Sequence, residues 1–210
     1  MRLISIFSLK FISILFLVLG YFFSYAPPLT LHYENSNAWV NHVFDSMTVD
    51  ERLAQLFMIE VRPTNGTQHL AQVEKTIQEH QVGGIIFFKG DPKQQVRLTN
   101  KFQELSKTKM LVAIDGEWGL SMRLSNTISY PYQLGLGGIK DDQVIYSMGR
   151  EIGRQCKRMG IHVNFAPVID VNNNPNNPVI NYRSFGEDPD NVGKKGWAYA
   201  RGMQDAGIIA

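Results

Sequence analysis

Residues 110–119 read Met-Leu-Val-Ala-Ile-Asp-Gly-Glu-Trp-Gly, an apolar run that changes abruptly into a polar turn. The five apolar residues from Met110 to Ile114 are typical of a strand that is buried on both faces, as the strands of parallel sheets are. Asp115 follows this strand directly. Because binding groups in parallel α/β folds lie at the carboxyl ends of the strands, the stretch predicts a central strand and a candidate functional carboxylate.

Similar apolar runs lie on either side of this strand, and segments with helical spacing separate them. We predict further strands at 55–60, 82–88 and 162–168, and the start of another at 207–210. Apolar residues three to four positions apart are typical of helices, which we predict at 69–81, 91–107, 141–159 and 188–206. This alternation predicts an α/β fold in which helices cover a parallel sheet.

Two architectures fit this alternation: a doubly wound open sheet and a (β/α)8 TIM barrel. The GxGxxG fingerprint of dinucleotide-binding folds follows none of the predicted strands. A complete barrel needs about 250 residues, and this chain reaches only the start of a fifth strand. We therefore predict a (β/α)8 barrel that is truncated after about its first half.

The first part of the chain has a different composition. Two basic residues within the first ten precede an almost wholly apolar stretch at 11–23, which is the pattern of a secretory signal. Small residues at 24 and 26 have the spacing that suits cleavage, but Pro27 is a poor residue after a cleavage site, so an uncleaved membrane anchor is the alternative. We predict an exported protein (periplasmic, membrane-anchored or secreted) with a signal peptide or anchor at 1–26 and a partial barrel domain at 27–210.

Charge and composition argue against several classes of protein. The formal net charge is +2, and no run of basic residues forms a stripe, so nucleic-acid binding is not indicated. The pair Lys194-Lys195 is expected on a solvated helix face. The five histidines form neither HxxxH nor HExxH, so we predict no metal site and no cofactor, and we expect His162 to be a packed core residue. Cys156, the single cysteine, is expected to be a buried structural thiol.

Asp115 is the strongest candidate for a ligand-binding side chain. Its position at the carboxyl end of a buried strand fixes the backbone that carries it, and a carboxylate can accept hydrogen bonds from a pair of sugar hydroxyls. Trp118, three residues later, could offer an apolar platform to a sugar ring. The alternatives are a helix cap or turn for Asp115 and simple core or loop packing for Trp118.

A long loop rich in asparagine and proline follows the fourth predicted strand, at residues 172–189. Long loops without secondary structure of their own are often functional. Arg183 lies in this loop, and its planar guanidinium suits the binding of a hydroxyl or a carboxylate. The alternative is a surface salt bridge between Arg183 and Glu187 or Asp188.

Several segments, taken in order, resemble glycoside hydrolase family 3. They favour its β-N-acetylglucosaminidase branch, because the β-glucosidase branch more often shows a His-Gly pair in the third-strand motif. The resemblance covers about residues 50–210. The segments are Asp-Gly-Glu-Trp-Gly at 115–119 with Arg123, similar to D-x-E-G-G…R; Val-Asn-Phe-Ala-Pro-Val-Ile-Asp-Val at 163–171, similar to the strand-four signature; Arg-Ser-Phe-Gly-Glu-Asp-Pro at 183–189, similar to R-S-[FY]-x-x-D-P; and Gly-Gly-Ile-Ile-Phe-Phe at 83–88, similar to the second strand.

The resemblance implies a retaining glycosidase of the β-N-acetylhexosaminidase type, which hydrolyses O-glycosyl bonds through a covalent glycosyl-enzyme. It implies that Asp115, Arg123 and Arg183 bind the terminal sugar of a small carbohydrate substrate, and that Asp170 orders its loop. The family's nucleophilic aspartate and its acid/base histidine are expected beyond Ala210. The resemblance therefore assigns no catalytic residue to this chain, and we predict that the fragment alone is inactive.

Two positions depart from the family's pattern. The family often has a second glycine where Trp118 stands, and an arginine where Leu120 stands.

Two alternatives stay open for the function: a β-glucosidase or β-xylosidase of the same family, and a non-catalytic carbohydrate-binding half-barrel. The natural glycan could be chitin-derived, peptidoglycan or another carbohydrate, and membrane attachment through residues 1–26 remains an alternative to cleavage.

Overall fold

The computed structural model describes residues 38–210, which form an α/β structure around four parallel strands paired in chain order. Ile209 makes a parallel bridge with Val163, on the side of the fourth strand that faces away from the third, where a fifth strand begins. The order of the strands is that of the first half of a (β/α)8 barrel, as predicted. The strands are β1 (Met58–Val61), β2 (Gly84–Phe87), β3 (Leu111–Ile114) and β4 (Val163–Asn164).

Helices connect the strands and precede the first of them. They are α1 (Ala38–Ser46), α2 (Val49–Ala54), α3 (Gly66–His80), α4 (Pro92–Leu105), α5 (Gln133–Gly137), α6 (Asp142–Arg158) and α7 (Pro189–Asp205). Short 3-10 turns lie at 63–65, 120–122 and 181–183. The predicted signal peptide or anchor at 1–26 lies outside the described residues. Over residues 38–210, the helices are too short or too polar to span a bilayer.

Capping side chains fix where several helices begin. Thr48 and Glu51 form a capping box, because each side chain accepts a hydrogen bond from the other's backbone N–H, at 3.2 and 2.9 Å. Asp91, Asp141 and Asp188 cap α4, α6 and α7. These three helices begin one residue after the predicted positions. Helix α3 has no side-chain cap and begins three residues earlier than its apolar spacing indicates.

Two strands differ from their predicted bounds for identifiable reasons. Strand β1 begins at Met58 because Gln55 still ends α2, where its N–H donates to Glu51 O at 3.1 Å. Strand β4 contains only two residues. Beyond them the chain reaches the cis Ala166–Pro167 bond, and a proline has no N–H with which to continue the ladder.

The core lies between the sheet and the helices that cover one of its faces. Val61, Phe87 and Ile114 are neighbours in register and are fully buried on that face. The opposite face carries the register row Glu60, Ile86, Ala113 and Val163, and Glu60 at its β1 end is exposed. In a closed (β/α)8 barrel this second face becomes the packed interior. Ala113 and Val163 are buried on it here, and Ile86 is partly buried.

The prediction that His162 packs in the core is wrong. His162 is exposed, and its ring Nδ1 accepts a hydrogen bond from the backbone N–H of Val112 at 3.0 Å. The residue lies just before β4, and its own backbone N–H donates to Val112 O at 2.8 Å. Its role in the structure is therefore to extend the pairing between β3 and β4 rather than to fill the core.

Helices α6 and α7 bury two side chains that carry reactive groups. Cys156 is fully buried, and burial raises the pKa of its thiol to about 12, which confirms the structural role predicted for it. Lys195 does not lie on a solvated face, as the sequence suggested. It is 2% exposed and donates to the carboxylate of Asp142 and to the carbonyl of Ile139, which ties α7 to the start of α6.

Glycines allow α6 and α7 to approach closely, and this gives a matched test of their packing. A Cβ on Gly202 would lie 2.2 Å from Tyr146 O and 2.7 Å from Arg150 N, whereas a Cβ on Gly193 in the same helix meets no atom within 4 Å. We expect Gly202→Ala to lower the free energy of unfolding by about 1–3 kcal/mol through overpacking. Gly193→Ala should raise it by about 0.5–1 kcal/mol, because alanine favours the helix.

Urea denaturation of the protein measures both changes. Equal effects from the two substitutions would contradict the close approach of α6 and α7.

Candidate active site

Asp115 lies where the chain leaves β3, as the sequence predicts. Arg123 follows the 3-10 turn at 120–122, and its Nη2 donates to Asp115 Oδ2 at 2.6 Å. The two side chains are 24% and 19% exposed, so the pair is sheltered but open on one side. Among residues 38–210, Arg123 is the only hydrogen-bonding partner of this carboxylate, which leaves Oδ1 able to accept hydrogen bonds from a ligand.

An aromatic ring at the end of the neighbouring strand contacts Arg123. The guanidinium carbon of Arg123 lies 4.6 Å from the ring centroid of Phe88, and that of Arg62 lies 4.9 Å from the same centroid. Arg62 in turn pairs with Glu60 at 3.1 Å. Sequence reasoning did not select Phe88 or Arg62, although their positions at the carboxyl ends of β2 and β1 were the available signal. Stacking on Phe88 helps to hold Arg123 against Asp115.

Arg183 forms an ion pair with a residue that is distant in sequence. Its Nη2 lies 2.7 Å from Glu117 Oε1, its Nε bonds both oxygens of Glu117, and its Nη1 donates to Val179 O. The hydrogen bonds to Glu117 raise the pKa of Arg183 above its usual value. Glu117 is 3% exposed. The predicted alternative of a surface salt bridge with Glu187 or Asp188 is therefore wrong, and Arg183 links the loops that follow β3 and β4.

Buried polar side chains support the backbone between Asp115 and Glu117. Asn164 of β4 accepts from Gly116 N at 2.8 Å and donates to Gly116 O at 3.3 Å. The hydroxyl of Tyr199 in α7 lies 3.2 Å from Gly116 O and 3.1 Å from Glu117 O, and burial raises the pKa of this phenol well above its usual value. Sequence reasoning missed both residues because only the folded chain brings β4 and α7 against this turn.

The remaining positions that the sequence singled out have structural contacts. Asp170 is exposed, and its backbone carbonyl accepts the hydroxyl of Ser184, so it takes part in ordering the loop through the main chain. Trp118 packs edge-on against Tyr132 at 4.8 Å between centroids. Leu120, the other departure from the family's pattern, is 3% exposed and belongs to the core.

The site combines a carboxylate oxygen with guanidinium N–H groups at the carboxyl ends of parallel strands. Such a set both accepts and donates hydrogen bonds, which suits a ligand rich in hydroxyl groups. Arg183 shares its single Nε–H between both oxygens of Glu117 and uses one N–H of each terminal nitrogen for Glu117 or Val179. One N–H of each terminal nitrogen is therefore left for a ligand. Within residues 38–210, histidine, cysteine and carboxylate side chains do not gather in groups of three or more that could hold a metal ion.

Comparison with known protein families agrees with this geometry. The description "Glycosyl hydrolase family 3 N terminal domain" matches residues 48–210, which is most of the chain. The chain belongs to glycoside hydrolase family 3. The resemblance predicted from the loops after β3 and β4 is thereby confirmed.

Several curated relatives and solved structures that match this chain carry hexosaminidase or β-N-acetylglucosaminidase names, while one matching structure is a β-glucoside phosphorylase. Beta-hexosaminidase A of Pseudoalteromonas piscicida is 35% identical over 152 residues, which cover 66% of this chain and 25% of that protein. Beta-hexosaminidase LpqI of Mycobacterium tuberculosis is 32% identical over 165 residues, covering 76% of this chain and 40% of that protein. A family 3 β-N-acetylglucosaminidase structure from Paenibacillus sp. has a TM-score of 0.67 at 34% identity, over 78% of this chain and 32% of that one.

The chain spans a quarter to two fifths of the length of these curated relatives. This chain therefore corresponds to only a part of each relative. The similarity lies in the barrel domain, and the four parallel strands of this structure match it in fold.

The ion pair between Glu117 and Arg183 gives a stability prediction. Arg183→Ala should lower the free energy of unfolding by about 2–3 kcal/mol, because it leaves the buried carboxylate of Glu117 without its charge partner. The matched control is Arg154→Ala, which removes a similar two-nitrogen pair with Glu151 whose side chains are 64% and 37% exposed. That control should leave the free energy of unfolding close to the wild-type value, because water screens an exposed ion pair.

Urea denaturation of the intact protein reads out both variants and the double variant Arg183→Ala with Glu117→Gln. The double variant should recover part of the loss, because the unpaired charge is gone. Equal losses in the two single variants would show that the burial of Glu117 has no energetic consequence.

Proposed function

We propose that this chain supplies the first half of the barrel of a retaining glycoside hydrolase that removes terminal β-linked N-acetylglucosamine from a carbohydrate. The observation that carries the proposal is the Asp115–Arg123 pair at the carboxyl end of β3, with one carboxylate oxygen free of protein partners among the described residues. Membership of glycoside hydrolase family 3 and the hexosaminidase names of the relatives support the same reaction and the same sugar.

In this proposal Asp115 binds two hydroxyl groups of the terminal sugar. A carboxylate offers about four lone-pair directions, and Arg123 occupies one of them at 2.6 Å. Arg123 also holds the Asp115 carboxylate in its orientation, while free N–H groups on the terminal nitrogens of Arg123 and Arg183 donate to oxygens of the same sugar. A neutral polyhydroxylated ligand is the class that such a mixed set of donors and acceptors recognises.

The chemical step would depend on groups outside this chain. A retaining glycosidase needs a nucleophile and an acid/base residue on either side of the scissile bond, and we expect the family's aspartate and histidine beyond Ala210. The carbohydrate would be met outside the cytoplasm, because residues 1–26 have the composition of an export signal or an anchor.

A direct assay tests the proposed reaction. The intact protein that carries this chain should hydrolyse 4-nitrophenyl N-acetyl-β-glucosaminide with a higher kcat/KM than 4-nitrophenyl β-glucoside. The 210-residue chain by itself should hydrolyse neither, because the catalytic groups are expected elsewhere. A preference for the glucoside would favour the β-glucosidase alternative, and saturable turnover by the chain alone would place catalytic groups within it.

Asp115→Ala should damage activity much more than stability. Two charge-assisted hydrogen bonds to hydroxyls contribute about 3 kcal/mol or more, so kcat/KM should fall by about 100-fold or more. Asp141→Ala is the matched control, since Asp141 caps α6 through Gln143 N at 2.9 Å. It should lower stability by about 1 kcal/mol and leave kcat/KM nearly unchanged.

Steady-state kinetics and thermal unfolding of the intact protein measure both effects. If Asp115→Ala behaves as Asp141→Ala does, with a lower Tm and less than about a tenfold change in kcat/KM, Asp115 is a structural residue and the proposed sugar contact is wrong.

A further inference from the structure

A single hydrogen bond joins the side chain of Arg123 to the rest of the described chain, from Nη2 to Asp115 Oδ2 at 2.6 Å. The Nε of Arg123 is buried and has no hydrogen-bonding partner within residues 38–210. A guanidinium that is held at one atom can pivot about that contact, whereas two parallel bonds fix its plane. Arg183, for comparison, uses all three of its nitrogens. Hydrogen bonding by itself therefore does not set the orientation of Arg123.

The ring of Phe88 supplies a second constraint on Arg123. The guanidinium carbon lies 4.6 Å from the ring centroid, which is within the range of a cation–π contact, and a flat guanidinium stacks well on an aromatic face. Phe88 directly follows β2, and its backbone N–H donates to Val61 O at 2.9 Å, which extends the pairing of β1 with β2. The ring is therefore carried by a backbone that the sheet holds in place.

A second guanidinium, that of Arg62 at the end of β1, contacts the same ring. Its carbon lies 4.9 Å from the centroid of Phe88. The Nε of Arg62 donates to both carboxylate oxygens of Glu60 at 3.1 Å, and its backbone N–H donates to His69 Nε2 at 3.0 Å. Arg62 is thus held by its own contacts, and Phe88 lies against two ordered cations rather than one.

The five side chains of this set alternate in charge. In order of contact they are Glu60, Arg62, Phe88, Arg123 and Asp115. Two cations on one ring repel each other, and the carboxylate that each of them pairs with offsets this repulsion. The side chains of Arg62 and Glu60 are 38% and 51% exposed, against 19% and 24% for Arg123 and Asp115. Because water screens the outer pair more strongly, Phe88 should affect the site more than Arg62 does.

We propose that Phe88 is a positioning residue for sugar binding. It aims the guanidinium of Arg123, so that Arg123 and Asp115 meet the hydroxyl groups of the terminal sugar in one orientation, and Arg62 supports the same ring from β1. The inference rests on the proposed function, which supplies the ligand. Arg123 would contact the sugar both before and during the reaction, so the loss of its orientation should raise KM more than it lowers kcat.

Steady-state kinetics of the intact protein with 4-nitrophenyl N-acetyl-β-glucosaminide test this role. Phe88→Leu removes the aromatic face and keeps an apolar side chain, and it should raise KM by about tenfold. Phe88→Tyr retains the face and should keep KM within about twofold of the wild-type value. Because a smaller folded fraction lowers the apparent kcat and leaves KM unchanged, KM does not depend on how much of a variant is folded.

Two further variants separate positioning from a general disturbance of the site. If Phe88 acts through Arg123, Phe88→Leu should change KM by less than about twofold when it is combined with Arg123→Lys, which lacks the flat guanidinium. Arg62→Met removes a partly exposed cation and should raise KM by about threefold. It provides a test that does not require Phe88→Leu to fold.

Phe44→Leu is the matched control, because it removes a contact of the same kind outside the site. The guanidinium carbon of Arg52 lies 4.0 Å from the ring centroid of Phe44, and Phe44 belongs to α1. This substitution should leave KM at the wild-type value.

The proposal for Phe88 is overturned if Phe88→Leu and Arg62→Met both keep the wild-type KM, or if Phe88→Leu raises KM equally with and without Arg123→Lys. Either result leaves the proposed function standing. A wild type that hydrolyses 4-nitrophenyl β-glucoside and not the N-acetylglucosaminide overturns the proposed sugar, and the same comparison of variants is then made with the glucoside. A wild type that hydrolyses neither overturns the proposed function, and the inference with it.

Discussion

The ion pair between Glu117 and Arg183 joins the loop that follows β3 to the long loop that follows β4. Glu117 is almost fully buried, and burial of a carboxylate is unfavourable unless a cation and hydrogen bonds compensate for the lost water. The pair therefore constrains both loops at once. Asp115 precedes Glu117 by two residues, Trp118 follows Glu117, and Tyr182 precedes Arg183.

Further polar contacts, from β4 and α7, hold the turn at residues 115–117. Asn164 hydrogen-bonds to both backbone groups of Gly116, and the buried hydroxyl of Tyr199 contacts the carbonyls of Gly116 and Glu117. A turn whose buried polar groups are satisfied in this way is rigid. A carboxylate on such a turn is presented to a ligand in one orientation, which is what a hydrogen-bonding site for a sugar requires.

The extent of the sheet limits what these residues can do together. Helices cover one face of four parallel strands, and Glu60 is exposed on the opposite face. A fifth strand begins at Ile209, at the edge of the sheet beside β4. A (β/α)8 barrel draws its functional groups from the loops after all of its strands. The described chain contributes the loops of the first four, and these carry side chains suited to holding a sugar.

Hydrophobic spacing was sufficient to predict the order of the strands and of the four long helices, the buried thiol of Cys156 and the position of Asp115, because these depend on neighbours within a few residues. The short helix α5 was not predicted. The same signals failed at the ends of β1 and β4 and at His162, where pairing with another segment decides the outcome. The partners of Arg183, the roles of Asn164 and Tyr199 and the meeting of Trp118 with two tyrosines join residues far apart in the chain. Sequence by itself determined which side chains stand after the strands, and only the tertiary structure decided which of them touch, because contacts across loops depend on how the helices place the strands beside one another.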